Sequence, residues 1–183
     1  LNPRHYGRIP YTSASIEMIN AFVVGVPLDD KMIVIDGTNK HSDINILPSP
    51  LLVDRARLFG RDDDSAWVDL TSLNNNVISS AMVGTIDSEG VMKGEIANRY
   101  RGQASMRIKE KYAKTTEETY IENMEDESEF TVDNYSISGM DTTCVAEQFS
   151  YEKKRAVAGD LIYLNAAGLT FMSKSVFTAQ ERM

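Results

Sequence analysis

The sequence predicts a strand-dominated α+β fold with antiparallel sheets. Short runs rich in β-branched residues recur along most of the chain, and only residues 101–126 show the apolar spacing that is typical of helices. The chain has 183 residues, which is enough for one or two domains with cores of their own. Three consecutive asparagines at 74–76 favour an irregular connection, so we predict one domain over 1–72 and a second over 73–183.

The first domain is predicted to contain short strands joined by polar turns. Residues 20–26 and 31–36 form a hairpin around an acidic turn, and β-branched residues dominate its second strand. Residues 57–59 and 67–70 are shorter strand candidates, and 62–64, a run of three aspartates, is a solvated turn between them.

The second domain is predicted to be an antiparallel, β-sandwich-like unit with one or two helices. Its strands are expected over residues 77–86, 91–100, 130–139, 143–151 and 161–164. The first helix is expected over 101–113, because Ala104, Ile108 and Tyr112 recur at every fourth position. Thr115 and Glu118 fit a capping box at the start of a second helix over 116–126. Residues 166–183 show little regular pattern.

Charge and composition argue against several functions. The net charge is −8, so a basic patch for nucleic acid or an anionic membrane is not expected. No apolar run is long enough to cross a bilayer, and the first residues lack a signal-peptide pattern; whether Leu1 is a natural terminus stays open. One cysteine and two histidines at unrelated positions predict no metal site, and the absence of a glycine-rich phosphate loop predicts no cofactor.

The window from Asn20 to Thr38 resembles the His/Asp half of the transglutaminase-like cysteine enzymes, which are relatives of papain. Their usual run is close to Phe-Asn-His-Val-Ile, a turn, and Leu-Leu-Asp-Ala-Thr. The strand run from Val157 to Asn165 and the Trp67-Val68-Asp69-Leu70 segment strengthen the resemblance. They are similar to parts of an exported bacterial branch, in which a β-rich accessory domain follows the core. The resemblance implies a partial transglutaminase-like β-core over 1–72, the accessory domain over 73–183, and a periplasmic or cell-envelope location.

The resemblance also implies a catalytic triad that this chain lacks. Asp36 aligns with the triad aspartate, but the histidine position, fifteen residues earlier, holds Ala21. No cysteine precedes it, although such enzymes need a thiolate, a base and an orienting carboxylate. Asp36 is therefore interpreted either as a remnant of the triad or as a strand-end aspartate that binds backbone amides in a turn, and we favour the turn.

The other candidate residues have structural interpretations that we favour over functional ones. Cys144 lies in an alternating strand pattern and His5 in a polar loop. Trp67 is interpreted as a core or interdomain anchor, with an aromatic ligand platform as the weaker alternative. Seven acidic residues between Glu117 and Glu129 are the solvated face of a helix rather than a docking patch.

Two functional hypotheses remain. The first is a non-catalytic binding or structural module, derived from a cysteine enzyme, that contacts a polypeptide or a cell-envelope component. The alternative is a C-terminal segment of an active transglutaminase-like protease or amidase whose cysteine lies upstream of Leu1. A plain oligomerisation domain is a third and weaker hypothesis. A sheet with an uncovered apolar face needs a covering layer, so residues 1–72 are expected to pack on the second domain, on missing sequence or on another copy.

Overall fold

Antiparallel strand pairs dominate the regular structure, and this confirms the predicted strand-dominated α+β class. The computed structural model describes residues 1–12, 15–29, 31–60, 64–154, 157–158 and 161–162. The strands and helices are β1 (Val24–Leu28), β2 (Lys31–Ile35), β3 (Ala56–Phe59), β4 (Ser65–Val68), β5 (Asn76–Ile86), β6 (Val91–Gly102), α1 (Gln103–Tyr112), α2 (Glu117–Ser128), β7 (Thr131–Ser138), β8 (Cys144–Lys154), β9 (Val157–Ala158) and β10 (Leu161–Ile162).

The described residues group into two compact units. The first unit holds Leu1–Ile78, Tyr100–Lys111 and Gly139–Val145. The second unit holds Ser79–Arg99, Tyr112–Ser138 and the described residues from Ala146 onward. The domain limits drawn from the sequence, 1–72 and 73–183, stay a prediction.

Two hairpins, β1–β2 and β3–β4, shape the first unit. Val24 pairs with Ile35, and Gly25 pairs with Val34. Directly opposite residues in an antiparallel pair lie on the same face, so Gly25 and Val34 lie on one face and Val24 and Ile35 on the other. The face with Val34 joins an apolar core whose buried members are Leu1, Val34, Leu47, Leu51, Leu52, Val53, Ala56 and Leu70.

The longer strands form a four-stranded sheet in the order β5–β6–β8–β7. The β5–β6 turn is closed by Asp87, whose carboxylate accepts hydrogen bonds from the backbone N–H groups of Glu89 and Val91. Gly90 has a φ of +79°, as the turn predicted from the sequence requires. The buried core of the second unit consists of Met92, Ile96, Phe130, Phe149 and Tyr151.

The first strand begins later than predicted, at Val24 rather than at Asn20. The backbone N–H groups of Asn20 and Ala21 both donate to the carbonyl of Leu1 at 3.1 Å, so these residues bond to the beginning of the chain. The second strand ends at Ile35, and Asp36 is the next residue rather than part of the strand.

The helices also differ from the prediction at their ends. The first helix begins at Gln103 instead of residue 101, because β6 extends to Gly102. The second helix is capped by Thr116 rather than Thr115, and the Thr116 side chain accepts from the N–H of Thr119 at 3.2 Å. The N–H of Thr115 instead donates to the carbonyl of Tyr112, so the predicted capping box does not form.

Several segments interpreted from the sequence fall wholly or partly outside the described residues. These are Asp30 of the acidic turn, Asp62 and Asp63 of the aspartate turn, residues 159–160 and 163–165 of the run from Val157 to Asn165, and 166–183. Among the helices that the structure describes, none combines the length and the apolar character that a membrane crossing requires.

Candidate functional site

Asp36 closes a turn directly after β2. Its Oδ1 accepts hydrogen bonds from the N–H of Thr38 at 2.9 Å and from the Thr38 hydroxyl at 2.6 Å. The residue is only 3% exposed, and its Oδ2 has no hydrogen-bond partner among the residues that the structure describes. This geometry is that of an Asx turn, in which a short acidic side chain fixes the backbone two residues on.

The same arrangement recurs after β4. Asp69 Oδ1 accepts from the N–H of Thr71 at 2.8 Å and from the Thr71 hydroxyl at 2.6 Å. These two hydrogen bonds, the side-chain one first, lower the pKa of Asp69. The repetition shows that the Asp-x-Thr sequence serves a local structural purpose at two strand ends, independently of any catalytic purpose.

Ala21, at the position of the expected base, is partly buried against the first core. Its side chain is a methyl group, and its backbone bonds in both directions with Leu1. The residue can neither accept nor release a proton, so position 21 contributes packing and backbone bonding.

The outer face of β1 is apolar and exposed. Phe22, Val24, Val26 and Leu28 alternate along this segment, and Phe22 is 70% exposed and Val24 61% exposed. Ile35, the partner of Val24 on β2, is exposed as well. A row of large apolar side chains at every second position is unusual on a solvated surface and is characteristic of a surface that another chain covers.

An apolar groove of about 330 Å³ adjoins this face within the first unit. The beginning of β1 and the end of β3 line it, with Phe22, Val24 and Phe59 as its exposed aromatic and aliphatic members. Met32 and Leu58 approach the bare backbone of Gly25, where a Cβ atom would lie 2.9 Å from the Met32 sulfur. Gly25 therefore keeps the floor of the groove open.

Arg57 is the charged residue of this groove. Its guanidinium lies 5.1 Å from the ring centre of Trp67 and donates a hydrogen bond to the hydroxyl of Ser65. Tyr11 packs edge-on against Trp67 at 5.0 Å, and Arg55 lies 4.0 Å over the ring of Tyr11. Trp67 is thus half-buried in a row in which two aromatic rings lie between two guanidinium groups, whereas the sequence predicts a core or interdomain anchor.

The remaining sequence candidates lie in ordinary surroundings. The ring of His5 is exposed and contacts that of Tyr6 at 4.2 Å, and the N–H of His41 donates to Asn39. Cys144 begins β8 and is half-buried, with its sulfur 3.9 Å from the carbonyl of Val145. Within the described residues, no three His, Cys, Asp or Glu side chains are arranged to hold a metal ion.

The acidic segment of α2 is mostly the exposed face that the sequence predicts. Glu125 is an exception, because its Oε1 accepts a hydrogen bond from the N–H of Val132 at 2.6 Å. This bond connects the helix to the beginning of strand β7. At the end of the helix, the buried Lys153 donates to the carbonyl of Ser128 and lies 3.5 Å from the Glu129 carboxylate. A cation at a helix C-terminus is stabilised by the helix dipole.

The sequence interpretation missed a buried carboxylate in the second unit. Glu147 is 2% exposed and lies on the inward face of β8 together with Val145, Phe149 and Tyr151. The hydroxyl groups of Tyr120 and Tyr135 donate to its Oε1 at 2.6 and 2.9 Å. In a strand over 143–151, every second residue lies on the same face, and this places Glu147 on the apolar face. The alternating pattern could therefore have predicted the burial of Glu147.

Comparison with known proteins yields no match: neither protein-family models, nor curated proteins, nor solved structures align significantly with this chain.

Proposed function

We propose that this chain is a non-catalytic binding module that holds an extended apolar polypeptide segment against β1 of the first unit. The observation that carries the proposal is the exposed apolar row on β1, continuous with a groove of about 330 Å³. A transglutaminase-like cysteine enzyme would need a general base at position 21, where the side chain of Ala21 is a methyl group.

The spacing of the row favours a polypeptide over a compact small molecule. Alternate side chains of a β-strand lie about 6.7 Å apart along the strand. A bound segment in the extended conformation, with apolar residues at every second position, would present side chains at the same interval as Phe22, Val24 and Val26. A component of the cell envelope, as the sequence resemblance implies, is the proposed source of such a segment.

Paired valine variants test this proposal. Val24→Thr removes apolar surface from the row, whereas Val83→Thr makes the same change on β5 at a residue that is 76% exposed. The probe is a synthetic nine-residue peptide that alternates valine and threonine, acetylated and amidated at its ends. We expect Val24→Thr to weaken binding about fivefold in calorimetry, since about 1 kcal/mol of apolar contact is lost, and Val83→Thr to leave it unchanged.

The oligomeric state of the free protein shows whether a peptide or a second copy of the chain covers β1. Sedimentation of the free protein that shows a dimer, abolished by Val24→Thr, would mean that another copy covers β1, and would contradict the peptide proposal. Equal binding by the two valine variants would also contradict it.

A second candidate function rests on one atom of Asp36. A catalytic aspartate keeps one carboxylate oxygen for its histidine, and Asp36 Oδ2 is buried without a hydrogen-bond partner in the described part of the chain. The candidate is a segment of a transglutaminase-like protease or amidase. Sequencing of the source gene upstream of Leu1 and through codon 21 tests this candidate. An upstream cysteine codon together with a native histidine codon at position 21 would support the enzyme. A native alanine codon at position 21 would rule it out.

A further inference from the structure

We infer that the polypeptide segment held by the groove carries an acidic side chain, and that Arg57 binds its carboxylate. This inference rests on the proposed function, because it names the chemistry of the occupant of that same groove. It depends on how Arg57 is held and on what covering the groove would do to it.

Arg57 is held in place from two sides. The register of the β3–β4 hairpin puts Arg57 opposite Trp67, so both side chains lie on the same face. The guanidinium lies over the indole at 5.1 Å and donates one N–H to Ser65. A guanidinium has five N–H donors in a planar fork, so most of its donors remain for a ligand. A side chain already held in this way loses little further freedom on binding.

No carboxylate within the described ranges pairs with Arg57. The ion pairs of the described surface join other residues, including Arg8 with Asp54 at 2.9 Å. Arg55, which precedes β3, has a buried Nε without a hydrogen-bond partner in the described part of the chain. The groove therefore combines apolar walls with a cation that has no counter-charge among these residues.

Covering the groove would remove water from Arg57. Desolvating a guanidinium without a compensating partner is costly, whereas a bidentate carboxylate restores both its hydrogen bonds and its charge balance. A neutral apolar segment would leave this cost uncompensated. An apolar segment with one acidic residue would both cover the apolar lining of the groove and form an ion pair with Arg57.

Two peptides that differ in one side chain test the inference. Both alternate valine and threonine, with blocked ends, and the central residue is glutamate in one and glutamine in the other. We expect the glutamate peptide to bind about fivefold more tightly, because an ion pair near the surface contributes about 1 kcal/mol. The difference should shrink as salt is raised from 50 to 500 mM, through screening. Trp67 is the only tryptophan, so its fluorescence should change on binding and report the location.

Arginine variants complete the test. Arg57→Gln should bring the two peptides to equal affinity, and Arg57→Lys should keep part of the preference, since the charge remains but the fork is lost. Arg101→Gln, which neutralises an exposed arginine outside the groove, should keep the full preference.

Each outcome has a distinct meaning. Equal binding of the two peptides by the unmodified protein would overturn the inference and leave the proposed function in place. If neither peptide binds at millimolar concentration, both the inference and the proposed function are overturned. If Arg57→Gln does not fold, the comparison of the two peptides on the unmodified protein still decides, because it needs no variant.

Discussion

Tyr120 donates its phenolic hydrogen to the buried carboxylate of Glu147 at 2.6 Å, and so joins helix α2 to strand β8. Tyr135 of β7 donates to the same oxygen at 2.9 Å. Two hydroxyl donors on one carboxylate oxygen compensate for its burial, as a buried charge requires. The rings of Tyr120 and Tyr135 also pack 5.9 Å apart, so one polar cluster links three elements of the second unit.

Removing the Tyr120 hydroxyl should lower the free energy of unfolding by about 2 kcal/mol. The change Tyr120→Phe keeps the ring but takes one donor from a buried carboxylate, and hydrogen bonds to charged groups contribute about 1.5–3 kcal/mol. Urea unfolding followed by circular dichroism measures the effect. Tyr6→Phe, at an exposed residue, is the matched control and should change stability by less than about 0.5 kcal/mol. Equal effects of the two changes would show that the Glu147 cluster contributes nothing.

The tyrosines of the second unit should also make stability depend on alkaline pH. A hydrogen bond to Glu117, with a smaller effect of burial, raises the pKa of Tyr112 to about 12. Burial first, and then the charge of Glu147, raise the pKa values of Tyr120 and Tyr135. A raised tyrosine pKa means that the folded state favours the protonated phenol. Its contribution is complete below the ordinary value near 10 and is lost as the pH rises through the folded-state pKa.

Absorbance at 295 nm measures this titration. The difference between the unmodified protein and Tyr112→Phe should show one tyrosinate forming near pH 12, and Glu117→Gln should move that step toward 10. A step that stays in place in Glu117→Gln would contradict the assignment to the hydrogen bond.

Gly102 is required by the connection between β6 and α1. Its φ is +62°, and a Cβ atom there would overlap the carbonyl oxygen of Asn75. Gly102→Ala combines strained backbone with a clash against backbone, so we expect a loss of more than about 3 kcal/mol or failure to fold. Gly37→Ala is the control, because beyond its chain neighbours no atom of the described residues lies within 4 Å of its Cβ position, and it should cost less than about 1 kcal/mol. Thermal unfolding measures the melting temperatures of both variants. Similar melting temperatures of Gly102→Ala and Gly37→Ala would contradict a special requirement for glycine at position 102.

Asp36 and Asp69 should differ in importance although their turns are alike. Asp36→Ala removes a carboxylate that is 3% exposed, together with both hydrogen bonds that it accepts from Thr38, so a loss of about 2 kcal/mol is expected. Asp69→Ala makes the same change at an exposed carboxylate that water can replace, and should cost less. Peptide affinity should be the same in both variants, since neither residue lines the groove. Loss of peptide binding in Asp36→Ala, with folding intact, would assign Asp36 a functional role.

The local features of the fold could be predicted from the sequence because they depend on neighbouring residues. The β1–β2 hairpin, the Gly90 turn and both helices follow from short patterns of β-branched residues, glycine and helical spacing. The Asp36 turn also follows from the sequence, because Asp-x-Thr forms its hydrogen bonds within three residues.

The features that the sequence interpretation missed involve residues that are far apart in the chain. Gln103 is buried because it accepts from the N–H of Asn75 and donates to the carbonyl of Leu73, some 30 residues earlier. The triple asparagine therefore lies beside a glutamine that binds its backbone, which no local pattern reveals. The tyrosine pair around Glu147 likewise depends on tertiary packing, and the exposure of β1 depends on which face of the hairpin the core covers.

Binding of an extended apolar segment against β1 of the first unit can be located by ¹H–¹⁵N correlation spectra. The labelled chain is titrated with the glutamate-containing peptide that alternates valine and threonine. We expect the largest shifts on the backbone amides of residues 22–26, 28 and 56–59, and on the indole N–H of Trp67. Shifts confined to other residues, or no shifts at millimolar peptide, would contradict the proposed binding against β1.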